Sequence, residues 1–239
     1  MAHILAIEAA SDSFSVALHT EGHQICRTEA APRMHSRLLY PVLNDVMSEA
    51  GLKPNQLDAV AFGKGPGSFT GLRIAASTAQ GIGFACDIPL IGVSTLQAMA
   101  QQAFIEEKAS KVISIMDARM NELYVGHYEI DPESAIMVSK VDDFICPIDF
   151  SPKEYHLIDG QFHFCGHGLK LAEQFDPELT KMIESRNDQQ ILNATSMFPF
   201  AIQALETSQV LAPEAVELVY LREQSHWKTI KEQKLANKK

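Results

Sequence analysis

The sequence has 239 residues, 46% hydrophobic and 21% charged, the profile of a globular protein with room for one large domain or two small ones. A net charge of −10 excludes nucleic-acid binding by broad phosphate neutralisation, which needs clustered Lys and Arg, but leaves a role in RNA chemistry through a partner. Cys26, Cys86, Cys146 and Cys165 form no CxxC pair and are expected to be free thiols rather than a disulfide framework.

The chain opens on Ile4 to Ile7, an apolar run that reads as a strand buried on both faces. A small-residue turn, Glu8 to Ser11, follows. Phe14, Val16 and Leu18 alternate with Ser15 and Ala17 in a second strand, and Glu21-Gly22 turns the chain into a third, from His23 to Thr28. From Ser36 to Ala50, Leu38, Leu39, Val42, Leu43, Val46 and Met47 recur at helical spacing, with Gly51 as the C′ residue. Pro41 offers no N–H and is expected to kink this helix. Asp58 to Phe62 is a short buried strand. The glycine-rich run 63–73, GKGPGSFTGLR, leads into a helix from Thr70 to Ala85, rich in small residues that let another backbone approach. Pro89 to Val93 is a further strand, and Ser94 with Gln97 predicts a capping box for a helix reaching Phe104.

The opening plan then returns. Val112 to Met116 is an apolar strand ending at Asp117, followed by a polar turn and the alternating strand Glu122 to Tyr128. Hairpin-linked strands followed by helical crossovers predict a mixed sheet flanked by helices, and the duplication is of the kind actin-like folds show. Residues 131–210 carry less pattern: a strand at Phe162 to Cys165 and a late helix from Thr195 to Ser208. Val216 to Leu221 reads as a last strand. Arg222 to Lys239 carries five lysines besides Arg222, against Glu223 and Glu232; it reads as a solvated tail or as a contact for RNA or an acidic partner. The N-terminus lacks a signal-peptide pattern, and the apolar stretch 81–93 is interrupted by Asp87 and Pro89. A cytoplasmic location is expected.

Three groups invite a chemical reading. The glycines at 63, 65, 67 and 71 permit close backbone approach, and the helix start beyond them suits a phosphate, but the spacing is not a Walker A. A packing loop and a phosphate loop are equally compatible with it. Glu8 and Asp117 stand at strand ends and Asp12 in the turn between strands; such acids can hold hydrated magnesium or serve as a base, though an Asp in a turn is also favoured for local hydrogen bonding. The spacings His19/His23 and His163/His167 fall off helices, so no metal site is expected there.

The strings AFGKGPGSFTGLRIA and IPLIGVSTLQAMAQ resemble the hallmark of the TsaB (YeaZ) family. So, in the same order, do ILAIEAASDSFSVAL, RMHSRLLYPVL, IMDARMNELYVGHYE and VELVYLREQSHWK; the likeness is weakest over 131–210. It implies an α/β fold of the actin-like (ASKHA) type, two ribonuclease-H-like subdomains each with a mixed sheet flanked by helices. The first would span 1–108, completed by 212–227, and the second 109–211, with 228–239 a basic tail. It also implies a non-catalytic scaffold supporting threonylcarbamoyl transfer to the adenosine beside the anticodon of tRNAs that read codons beginning with A. The implied partners are a TsaD-type catalytic paralogue, a TsaE-type ATPase and a second copy of the chain, with tRNA reached through the complex and no membrane. Where TsaD carries a metal-binding histidine pair, Ser94 to Ala98 has no histidine.

The cleft expected from the resemblance is degenerate and would be lined by Glu8, Asp12, Gly65, Gly67, Ser68, Thr70 and Asp117. Glu8-Ala9 stands where the family has Asp-Thr, and Lys64 where Arg is common, so ATP or ADP with magnesium is expected only at a partner interface. The partner surface is assigned to the first two helices. On the first it comprises Leu38, Leu39, Val42, Leu43 and Val46; on the second, Arg73, Ile74, Ser77, Thr78 and Gly81. The rival reading is an actin-like ATPase or phosphotransferase acting through Glu8, Asp12 and Asp117.

Overall fold

The computed structural model describes residues 2–157 and 160–222. Its first half is a five-stranded sheet of β1 (Ile4–Glu8), β2 (Ser13–Thr20), β3 (His23–Ala30), β4 (Ala59–Gly65) and β5 (Leu90–Ser94), in the order β3-β2-β1-β4-β5. β1 pairs antiparallel with β2 and parallel with β4, so every side chain of β1 is buried, as its unbroken apolar run requires. The second half repeats this plan with β6 (Lys111–Arg119), β7 (Glu122–Asp131), β8 (Ile136–Pro147), β9 (Phe162–Cys165) and β10 (Ile183–Asn187), ordered β10-β9-β6-β7-β8. β6 takes the place of β1, antiparallel to β7 and parallel to β9. This is the duplicated mixed-sheet architecture of the actin-like class.

Helices α1 (His35–Glu49) and α2 (Phe69–Cys86) cover the outer face of the first sheet, burying Leu39, Leu43, Val46, Ala75 and Ala79 against Leu5, Ile7 and Val60. Helix α3 (Thr95–Glu107) lies between the halves, packing its Leu96, Ala98, Met99 and Ala103 among residues of both sheets. The outer face of the second sheet is covered by 3-10 turns and the short α4 (Pro177–Lys181), around Ile113, Phe162 and Phe164.

Pro41 lies inside α1, which runs on to Glu49 without the hydrogen bond the proline nitrogen cannot donate. Other expectations are corrected. Ser94 caps α3 by accepting from Gln97 N–H at 3.3 Å, but the Gln97 amide donates to the Met137 carbonyl, so the box is half formed. The late helix, α5 (Phe198–Glu206), buries Phe198 and Ala201 with Ile4, Ala61 and Val93 of the first sheet, so the chain rejoins the first half before residue 211. Residues 216–221 form no strand. Val219 N–H donates to the Lys64 carbonyl at 2.8 Å, but no ladder continues from it. The basic segment beyond Arg222 lies outside the described residues.

Candidate functional site

The glycine-rich run joins β4 to α2, and its glycines are explained by what lies against them. A Cβ on Gly71 would sit 1.8 Å from the Ala9 carbonyl oxygen, one on Gly67 2.5 Å from Ala10 Cβ, and one on Gly65 2.7 Å from the Val219 carbonyl oxygen. Ser68 N–H donates to the Ala10 carbonyl at 2.7 Å, and Ser68 Oγ accepts from Gly71 N–H at 3.4 Å as the N-cap of α2. The loop is therefore pressed onto the Glu8–Ser11 turn and the C-terminal segment. Of the two readings left open by its spacing, close packing accounts for Gly65, Gly67 and Gly71.

A cleft of about 1410 Å³ opens between the halves. Five expected residues line it: Glu8, Asp12, Gly67, Ser68 and Asp117. Gly65 is buried beneath Val219, and Thr70 is exposed on the first turn of α2, so neither reaches the cleft wall. Other lining residues were not assigned to a cleft: Thr95, His167 with Lys170, and Arg222 come from three separate segments, and only the tertiary fold assembles them.

The Glu8 carboxyl forms part of the cleft floor yet is almost wholly buried. It accepts from Ala10 N–H at 2.6 Å and from the Thr95 hydroxyl at 3.5 Å. Burial outweighs these bonds and pushes its pKa up to about 7. Across the cleft, Asp117 accepts from Arg119 N–H at 2.7 Å and pairs with the Arg119 guanidinium at 3.2 Å, while its own N–H donates to His167 Nδ1 at 3.3 Å. Burial holds His167 below the usual imidazole range, the nearby Asp117 charge opposing it. Among the described residues no three His, Cys, Asp or Glu side chains converge on a point that would hold a metal. Of the cleft carboxylates Glu8, Asp12 and Asp117, Glu8 is turned to Ala10 N–H and the Thr95 hydroxyl and Asp117 to Arg119, so among the described residues they form no ready-made magnesium site within this chain.

The residues assigned to a partner surface divide by helix face. Leu39, Leu43, Val46 and Thr78 point inward and are buried by the chain's own sheet, which removes them from any contact surface. Arg73, Ser77 and Gly81 are exposed, and Leu38, Val42 and Ile74 are half-buried. Sequence periodicity identified the apolar stripe correctly but marked the core side of α1. Tyr40 and Phe84, respectively 56% and 61% exposed, were missed because they fall outside that stripe.

The family described as "TsaD: tRNA N6-adenosine threonylcarbamoyltransferase" matches residues 27–233. The "tRNA threonylcarbamoyladenosine biosynthesis protein TsaB" of Escherichia coli K12 is 33% identical over 228 residues, covering 95% of this chain and 97% of that one. The chain belongs to the TsaB family. The Haemophilus influenzae protein of the same description is likewise 33% identical, over 95% of this chain and 96% of its own length. The solved structure of "YeaZ from Pseudomonas aeruginosa" superposes with a TM-score of 0.84 at 31% identity, covering 92% of this chain and all of that one. Within this TsaB-family chain no described helix is long and apolar enough to cross a membrane, and all four cysteines are free.

Proposed function

We propose that this chain is a non-catalytic scaffold subunit of tRNA threonylcarbamoyladenosine biosynthesis. It docks a TsaD-type catalytic paralogue on the exposed faces of α1 and α2, serves a TsaE-type ATPase, and meets tRNA through the complex; a homodimer uses the same surface. The transfer it supports is to the adenosine beside the anticodon of tRNAs reading codons that begin with A. A nucleotide with magnesium belongs in this scheme at the partner interface, where a second chain completes the ligand set.

Gly81 carries the surface assignment. A glycine inside a helix costs about 0.5–1 kcal/mol relative to alanine. Gly71 and Gly83 of the same helix have an internal reason, since a Cβ would meet backbone at 1.8 Å or Pro213 at 2.9 Å. At Gly81 nothing lies within 4 Å, and the position is exposed, four residues after Ser77 and three before Phe84. A small-residue patch beside an exposed aromatic suits a helix from another chain at close approach. Charges at Leu39 or Ala79 would test folding, because both are fully buried. Phe84→Glu and Tyr40→Glu test docking instead. Each is expected to fold and to lose co-purification with the TsaD-type paralogue; retention of binding by both would overturn the surface.

The cleft keeps the rival ATPase reading measurable. ATP turnover by the purified chain that disappears in Asp12→Ala would favour the enzyme. A chain silent by itself but required in reconstituted tRNA modification would favour the scaffold.

A further inference from the structure

The two halves are tied together at two levels. At the floor, α3 is bonded to the second half: Ser94 Oγ–H donates to Asp143 Oδ2 at 2.6 Å, and Gln97 and Gln101 donate to the carbonyls of Met137 and Ala135. At the mouth, the tie is the C-terminal segment. Leu211 exchanges both backbone hydrogen bonds with Leu90, Pro213 accepts from the Gln80 amide at 2.8 Å, and Val219 bonds Lys64. Tyr220 accepts from Arg73 Nε at 3.3 Å and meets the Phe69 ring in a tilted contact, centroids 5.5 Å apart. All of these belong to the first half, and three of them, Phe69, Arg73 and Gln80, lie on α2.

Two residues on, the segment crosses to the second half. Arg222 Nη2 donates to the carbonyls of Ala118 at 3.1 Å and Arg119 at 3.3 Å and pairs with the Glu122 carboxylate. Nη1 reaches Met120 Sδ at 3.3 Å. The Arg222 side chain is only 15% exposed, so these bonds are largely withdrawn from water. The hairpin it grips is itself an unusual conformer: Arg119, Met120 and Asn121 stand consecutively at φ of 65°, 58° and 61°. Three left-handed non-glycine residues in a row persist only where the surroundings hold them, and Arg222 bonds on both sides of the turn.

We propose that residues 213–222 form a latch that couples α2 to the aperture of the cleft, with Arg222 as its catch on the β6–β7 hairpin. Opening the halves about α3 requires Arg222 to release the hairpin, because both the segment and the hairpin wall the cleft mouth. The root of the latch rests on α2 at half-buried Gln80, one turn before the exposed Phe84 on the same helix face, and at buried Gly83 next to it. A protein that docks on the outer face of α2 thereby shifts the latch equilibrium, and the latch shifts the affinity of α2 for that protein by the same factor. The coupling rests on the partner surface proposed above; the catch itself does not.

Hydrogen exchange of the full chain tests both parts. Arg222→Ala is expected to speed exchange of amides 117–122 by ~10-fold or more while β9 and β4 keep their protection. The charge swap Arg222→Glu with Glu122→Arg is expected to recover part of the lost protection, which a general loss of folding would not allow. Unchanged exchange at 117–122 in Arg222→Ala overturns the latch. Adding the TsaD-type paralogue is expected to change exchange at 117–122 in the native chain and not in Arg222→Ala. If the paralogue binds and 117–122 does not respond, the coupling is wrong and the docking surface stands. If the paralogue does not bind at all, the docking surface is wrong and the Arg222→Ala comparison still decides the catch.

Discussion

The Glu8 carboxyl occupies the space that a side chain at Gly63 would need: a Cβ on Gly63 would lie 2.0 Å from Glu8 Oε2. The two residues sit on β1 and β4, and the missing methyl lets a buried acid lie flat across the sheet toward Thr95 on α3. Gly63→Ala is expected to destabilise the chain by about 1–3 kcal/mol, as overpacking of a tight interior does. Shortening the acid relieves the clash, so Glu8→Ala with Gly63→Ala is expected to cost less than the two single changes together. Urea unfolding of the four proteins checks the non-additivity.

Glu8 also sets a pH dependence. Its folded pKa of about 7 lies above the unfolded value of 4.5, so the folded state holds the extra proton between them. This contribution to stability is fully present below pH 4.5, falls as pH rises towards 7, and levels off above that. The shift corresponds to roughly 3 kcal/mol at most. Glu8→Gln keeps an acceptor for Ala10 N–H and removes the titration. It is expected to raise the unfolding midpoint at pH 8 far more than at pH 5, and equal gains at both pH values would contradict the assignment.

His127 acts in the opposite direction. Its ring is fully buried, edge-on to Phe162 at 4.9 Å, and neither nitrogen has a hydrogen-bond partner among the described residues. Glu129, at 4.0 Å, is beyond hydrogen-bond reach, and burial holds the imidazole below its ordinary pKa despite that charge. Stability from keeping this ring neutral is present above pH 6.5 and is lost as pH falls through the depressed folded value. His127→Phe is expected to stabilise by about 1–3 kcal/mol, the cost of an unsatisfied buried polar group, with the larger gain at pH 5. Thermal melts at pH 5 and pH 8 provide the check.

Gly81→Ala separates folding from docking. With open space around the site, the isolated chain is expected to gain about 0.5–1 kcal/mol. Gly81→Leu should fold equally well yet weaken association with the TsaD-type paralogue, read by calorimetry. Tight binding by the leucine variant would remove the close-approach argument.

The thiols should divide by burial. Cys146 and Cys165 are buried, and burial pushes the Cys165 thiol up to about 12, far from the reactive thiolate form. A disulfide reagent at pH 8 is expected to label Cys86 and Cys26 in the native protein and the other two only after unfolding.

Local pattern alone determined a great deal here. The apolar run at 4–7, the alternation at 14–18, the repeat of both at 112–128 and the small-residue helix after 63–73 are short-range signals. Each survives because a strand or helix must bury one face whatever surrounds it. The family, too, was legible, since its motifs are contiguous strings. Segments whose conformation depends on distant partners were not legible: β8 and β10 form by pairing with β7 and β9, and α5 docks on a sheet completed more than a hundred residues earlier. Candidate residues followed the same rule. Type and spacing placed Glu8 and Asp117 at strand ends and Asp12 in a turn, but only the tertiary structure decided that Glu8 is buried, which raises its pKa, and that Asp117 is engaged by Arg119. It also turned Leu39, Leu43 and Val46 inward and brought Arg222 to the hairpin at Met120. Periodicity says which side chains share a face, whereas burial, charge state and close approach depend on what the rest of the chain places against that face.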